Sequence, residues 1–220
     1  SFTNRLTELD AARNRVLLNG SGVALGDYDG DGKVDVYVCG LNSDNALYRN
    51  LGGWRFEDVT EKVGLACSKL FCRGAVMADV NGDASLDLLV STVGQGTLLF
   101  VNHEGRFSDE TKAAGLSSRY GSSTLALADV DGDGSLDLYV SNYRPDDIRD
   151  SGRVNLENRN GRMAVPEALK NRLFIEEGKL NEYGEPDQLY LNNGSGRFQL
   201  VDWDSGRFLD EDGAKLGGPL

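Results

Sequence analysis

Asp27, Asp29, Asp31 and Asp35 lie within one short stretch, and the same spacing returns at Asp79, Asn81, Asp83 and Asp87 and at Asp129, Asp131, Asp133 and Asp137. Each set places a side-chain oxygen at positions 1, 3, 5 and 9 of a loop. Carboxylates packed this closely repel one another unless a hard cation sits among them. Oxygen-only donors on a flexible, glycine-bearing loop suit Ca2+ better than Mg2+, Zn2+ or copper. The first aspartates stand 52 and 50 residues apart. One such loop could arise by chance. Three in register define a repeat protein with a metal in each repeat, about three Ca2+ in all.

An EF-hand does not fit. It needs Glu at position 12, where this chain carries Val38, Val90 and Val140. The loops are also unequal. Loop 1 (27–35) and loop 3 (129–137) have four carboxylates each and Gly at positions 4 and 6. Loop 2 (79–87) has Asn81 at position 3 and Ala84 at position 6. Alanine tolerates a left-handed backbone poorly, so loop 2 is expected to bind most weakly. The ions are expected to be structural. Net charge is −12, and eleven of the 35 acidic residues sit in the three loops. Three divalent ions would bring the balance to about −6. No basic cluster invites nucleic acid. No apolar run approaches the roughly 18 residues that announce a membrane span.

Short strands must hold these loops. Before each lies an alternating segment: Val23-Ala24-Leu25-Gly26, Ala75-Val76-Met77-Ala78 and Leu125-Ala126-Leu127-Ala128. After each comes a more apolar one, 34–38, 86–90 and 136–140. In these, Val36, Val38, Leu88, Val90, Leu138 and Val140 share a face by the period of two and should form the core. A third strand follows at 46–50, 98–102 and 189–193, then a glycine turn (Gly52-Gly53, Glu104-Gly105, Gly194-Ser195-Gly196). A fourth opens on an aromatic at Trp54-Arg55-Phe56, Arg106-Phe107 and Arg197-Phe198. Regular short strands bounded by turn residues indicate an all-β architecture, and four antiparallel strands per repeat make a β-propeller blade.

The three loops, Leu47-Tyr48-Arg49-Asn50, Leu189-Tyr190-Leu191-Asn192, Phe56-Glu57-Asp58-Val59-Thr60, and the Thr60–Leu65 run with its echo Thr111–Leu116 carry a resemblance. The pattern resembles the FG-GAP and VCBS repeats of integrin-α-like β-propellers, and is similar to bacterial secreted proteins with ASPIC-type repeats. The resemblance spans nearly all of the chain outside 145–186. It implies a seven-bladed propeller with Ca2+ in the hairpin loop between the first two strands of a blade. It also implies that position 7, Lys33, Ser85 or Ser135, supplies a backbone carbonyl to the ion.

One propeller domain is expected over 1–220, with blades at about 16–60, 68–111 and 120–202. Phe2–Thr7 aligns with the fourth strand of a preceding blade, and Gly217-Gly218 sits where another should begin. Propellers need about four to eight blades. The chain is therefore expected to be part of a longer array, or to be completed by blades of another chain. Residues 145–186 interrupt the third blade and read as a binding or assembly element, or as a cover on one face; Pro166–Phe174 reads as a short helix.

Cys67 and Cys72, five apart, either close a small disulfide in an exported protein or remain two free thiols, and Cys39 reads as a buried apolar residue. His103 lies alone in a turn, and Trp54 and Trp203 read as packing residues. Two function classes remain. The first is a non-catalytic, Ca2+-stabilised extracellular, periplasmic or cell-surface scaffold that contacts a protein or glycan ligand. The second is a propeller-type polysaccharide lyase or hydrolase with its site outside this sequence or near 143–186, where Tyr143, Arg144, Asp146 and Asp147 are the only candidates.

Overall fold

The computed structural model describes residues 2–152, 154–209 and 211–213; Gly217-Gly218 lies outside them. The chain opens with helix α1 (Glu8–Arg13), whose Thr7 side chain accepts a hydrogen bond from the Asp10 N–H. A single 3-10 turn, Arg15–Asn19, then buries Val16 and Leu17. Residues 2–7 form no strand, contrary to the expectation of a preceding blade's fourth strand. The Thr7 cap three residues before Asp10 starts a helix instead, as such a pair does by satisfying a free backbone N–H.

Blade 1 consists of β1 (Val23–Gly26), β2 (Asp35–Val38), β3 (Ala46–Gly52) and β4 (Arg55–Asp58), paired antiparallel in that order. A one-turn helix α2 (Thr60–Val63) ends at left-handed Gly64 and leads onward. Blade 2 repeats the pattern with β5 (Cys72–Ala78), β6 (Asp87–Thr92), β7 (Thr97–His103) and β8 (Arg106–Asp109). Blade 3 begins with β9 (Ser122–Ala128) and β10 (Asp137–Asn142). The chain then leaves the sheet for two small hairpins, β11 (Glu157–Arg159) with β12 (Arg162–Ala164) and β13 (Leu173–Glu176) with β14 (Lys179–Glu182). It returns as β15 (Gln188–Asn192) and β16 (Phe198–Leu200) to complete the third sheet. Equivalent registers recur: Leu25, Val36 and Tyr48 align across blade 1 as Met77, Leu88 and Phe100 do across blade 2 and Leu127, Leu138 and Tyr190 across blade 3.

The core lies between blades. Tyr37, Leu47 and Leu65 of the first repeat pack with Leu88, Val90 and Phe100 of the second. Leu89, Leu99 and Leu116 in turn pack with Leu138, Val140 and Tyr190 of the third. Each fully buried aliphatic here contributes about 1.5–3 kcal/mol. Strand β6 is buried on both faces because it has a blade on each side. Four of the six expected core residues, Leu88, Val90, Leu138 and Val140, are essentially inaccessible. Val36 and Val38 are only half-buried. Among the described residues no blade covers their face of blade 1, and Tyr37 and Cys39 on the other face make the core contacts instead.

Alternation of strand direction puts the three acidic loops at one end of the blades. The connections between second and third strands, and the insertion, lie at the other. There the N-terminal segment meets the insertion: Asn14 Nδ2 donates to the Pro145 carbonyl at 2.7 Å, and the Arg15 N–H donates to Asp150 Oδ2 at 2.9 Å. The helix expected over Pro166–Phe174 is one 3-10 turn, Glu167–Leu169, after which Leu173 enters β13. The sequence is diverted there by left-handed Glu177-Gly178, a hairpin turn that pairs 173–176 with 179–182.

Trp54 and the Cys67–Cys72 pair depart from expectation, whereas Trp203 and Cys39 do not. Trp54 is 95% exposed at the tip of the β3–β4 turn, where a positive φ of 58° points it away from the sheet. Trp203 does pack: its ring lies 4.0 Å from Phe208 between centroids, and its Nε1 donates to the Asp187 carbonyl. Cys67 and Cys72 are free thiols, as is buried Cys39. The Cys67 Sγ lies 3.6 Å from the Tyr37 hydroxyl.

Candidate metal centres

Each loop is organised by its own aspartates before any ion is considered. Position 1 accepts the position 6 N–H: Gly32 to Asp27 at 2.7 Å, Ala84 to Asp79 at 2.8 Å and Gly134 to Asp129 at 3.0 Å. Position 5 accepts the position 7 N–H, from Lys33 at 3.0 Å, Ser85 at 2.8 Å and Ser135 at 2.7 Å. These contacts require a left-handed backbone at positions 4 and 6. Glycine supplies it except at Ala84, which adopts φ 68°. That is the strained position expected from the sequence.

Position 9 ties the loop to the sheet. Asp35, Asp87 and Asp137 are fully buried. One oxygen of each accepts the N–H of position 2, Tyr28, Val80 or Val130. The other accepts the N–H of Asn50, Asn102 or Asn192, on the third strand. Burial pushes the Asp35 and Asp87 carboxyls above the ordinary range despite these hydrogen bonds.

The asparagines do a second job that the residue pattern did not reveal. Each donates Nδ2 to the position 8 carbonyl of its own loop, Val34, Leu86 or Leu136. Asn102 also donates to the Tyr28 carbonyl in loop 1, and Asn192 to the Val80 carbonyl in loop 2, both at 2.8 Å. Loops 1 and 2 are thus each stapled to the following blade. The available signal was an Asn recurring fifteen residues after position 9, at 50 and 102.

In loop 1, Asp27, Asp29 and Asp35 bring carboxylate oxygens within 4.8 Å of one another; Asp129, Asp131 and Asp137 do so in loop 3. Asp31 and Asp133, at position 5, are outside these groups. Among the described residues, Asp79, Asp83 and Asp87 form no such group, and Asn81 Nδ2 donates to Asp83 Oδ2 at 3.0 Å. The donors are all oxygen, with one wall formed by a buried carboxylate, and they fit a hard divalent cation. Loop 1 differs in charge: Lys33 Nζ lies 3.0 Å from Asp31 Oδ2, and its hydrogen bond holds that carboxyl below the usual range.

The residues near the insertion do not converge on one point. Arg144 donates to the Tyr183 carbonyl and pairs with Glu182 at 3.4 Å. Asp146 pairs with Arg172 at 2.9 Å. Asp147 pairs with Arg149 and caps the 3-10 turn Ile148–Ser151. Tyr143 lines a cavity of about 420 Å3 with Phe174 and Leu180. His103 is exposed, its Nε2 3.2 Å from the Ser108 hydroxyl. No helix among the described residues is long and apolar enough to cross a membrane.

The FG-GAP-like repeat model matches residues 27–90 and again 79–140, which together cover just over half of the 220 residues. No curated protein matches the chain. The two matches begin at the first aspartates of loops 1 and 2 and run through the second strands of the next blades, the units that the hydrogen bonds repeat. On the repeat match and the three equivalent four-stranded blades, this chain belongs to the FG-GAP-like repeat family.

Proposed function

We propose that this chain is a Ca2+-stabilised, non-catalytic propeller module that acts outside the cytoplasm through protein or glycan contacts. The observation that carries the reading is the three-fold recurrence of one loop design, with a buried position 9 aspartate in each. The ions would be held by Asp27, Asp29, Asp31 and Asp35, by Asp79, Asn81, Asp83 and Asp87, and by Asp129, Asp131, Asp133 and Asp137. Carbonyls of Lys33, Ser85 and Ser135 would complete the sets. The bound ion supplies charge neutralisation to loops that carry four, three and four carboxylates. The ion pairs that occupy Arg144, Asp146 and Asp147 favour a scaffold over a lyase or hydrolase.

The open face of blade 1 supports a further blade, of this or another chain, as partner. Val23 and Leu25 are 54% and 62% exposed there, in register with Val36 and Val38. Their counterparts Ala75 and Met77 pack in the core between blades 1 and 2.

Calorimetric titration of chelator-treated protein should count about three Ca2+, and full occupancy should raise the melting temperature by roughly 5–10 °C for each well-filled site. Identical melting curves in Ca2+ and in excess chelator would falsify the structural role.

A further inference from the structure

Loops 1 and 3 carry the same donors, with Asp at positions 1, 3, 5 and 9 and Gly at 4 and 6. They differ in the cations around them. On β3, Arg49 places Nε 2.5 Å from Asp29 Oδ2 and Nη2 3.0 Å from Asp31 Oδ2. Lys33 reaches the same Asp31 oxygen. The Arg49 Nε is buried against this Asp29 carboxylate. The nearby Asp29 carboxylate in turn raises the guanidinium above its ordinary range. Arg49 precedes Asn50 as Val101 precedes Asn102 and Leu191 precedes Asn192. Blades 2 and 3 therefore have an aliphatic residue where blade 1 has a cation. Among the described residues, no Lys or Arg forms an ion pair with a loop 3 carboxylate.

We propose that Arg49 is a tethered cation of loop 1. It neutralises Asp29 and Asp31 in the ion-free chain and competes with a metal ion for their oxygens. Loop 1 therefore takes up Ca2+ more weakly than loop 3 and depends on it less. The inference rests on the calcium reading above.

The sequence provides a site-specific probe. Tyr28 occupies position 2 of loop 1, where loops 2 and 3 have Val80 and Val130. Tb3+ luminescence sensitised through tyrosine follows loop 1, while calorimetry with Ca2+ follows all three loops. Arg49→Leu, which installs the residue of blade 3, should tighten the tyrosine-sensitised Tb3+ titration by about tenfold and lower the melting temperature of the ion-free protein. Arg49→Gln keeps a polar side chain and removes the charge, and should behave like Arg49→Leu. Unchanged Tb3+ midpoints in both variants overturn the role of Arg49 alone, provided that the wild type binds Ca2+. A wild type that binds neither ion overturns the calcium reading itself.

Discussion

Blades 1 and 2 share a register and a loop design, yet they bury different amounts of surface. In blade 2 every residue of β6, from Asp87 to Thr92, is buried. In blade 1 the matching strand β2 alternates, with Asp35 and Tyr37 buried and Val36 and Val38 half-exposed. The difference lies in the neighbours and not in the strand. A blade has two apolar faces, and each becomes core only when another blade covers it. Burial is therefore a property of the seam between repeats, as expected for repeat arrays whose stability comes from nearest-neighbour interfaces.

Truncating each face should give the largest contrast. Leu89→Ala, in the seam between blades 2 and 3, should cost about 2–5 kcal/mol. Leu25→Ala, on the open face of blade 1, should stay within about 0.5 kcal/mol. Urea denaturation of the two variants measures both, and equal costs would break the comparison. If the open face meets another blade in a larger assembly, Leu25→Ala should become costly there while remaining silent in the isolated chain.

The asparagine staples sharpen the contrast at a smaller scale. Asn102→Ala and Asn192→Ala each remove a bond to the preceding blade's loop and should cost about 1–3 kcal/mol. Asn50→Ala loses only its side-chain bonds with Val34 and Gly52, both within blade 1, and should cost less. The same denaturation curves decide this, and an Asn50 variant as damaging as the other two would count against a seam role.

The smallest effect should come from the insertion, which is held by charge more than by apolar contact. Hydrogen bonding from Arg149 holds the Asp147 carboxyl down at about 2. Its folded value is below its unfolded one, so its stabilising contribution is complete above about pH 4 and is lost as pH falls towards 2. Asp147→Asn should remove that contribution, so the variant is less stable at pH 6–7 and loses less stability than the wild type as pH falls from 4 to 2. An identical acid limb in the two proteins would remove Asp147 from the account.

Much of this was legible because the repeat states its period three times. The aspartate spacing located the loops, and alternation on each side located the strands to within two or three residues. What escaped detection depends on partners distant in sequence or on signals competing with the repeat. Val36 and Val38 read like Leu88 and Val90, since no local pattern records which face of a blade the described residues cover. Phe2 matched Phe56 and Phe107 in position, which hid the Thr7–Asp10 cap beside it. The turns Asn160-Gly161 and Glu177-Gly178 mark two hairpins in a segment that lacks the repeat's spacing. The recurring Asn marked a position but not its staple role, because the acceptors of Asn102 and Asn192 are carbonyls in the preceding loop.

The contacts of Asn14 with Pro145 and of Arg15 with Asp150 span 131 and 135 residues. The strand pairings within each blade join segments much closer along the chain, and the longest staple, Asn192 to Val80, spans 112. Local pairings form first, because closing a long loop costs entropy that only a formed structure can offset. During synthesis the blades can assemble in order as they emerge, with the N-terminal segment waiting for the insertion. Joining the first and third repeats then comes last, and the strength of that clasp should appear in how fast the array opens more than in how fast it forms.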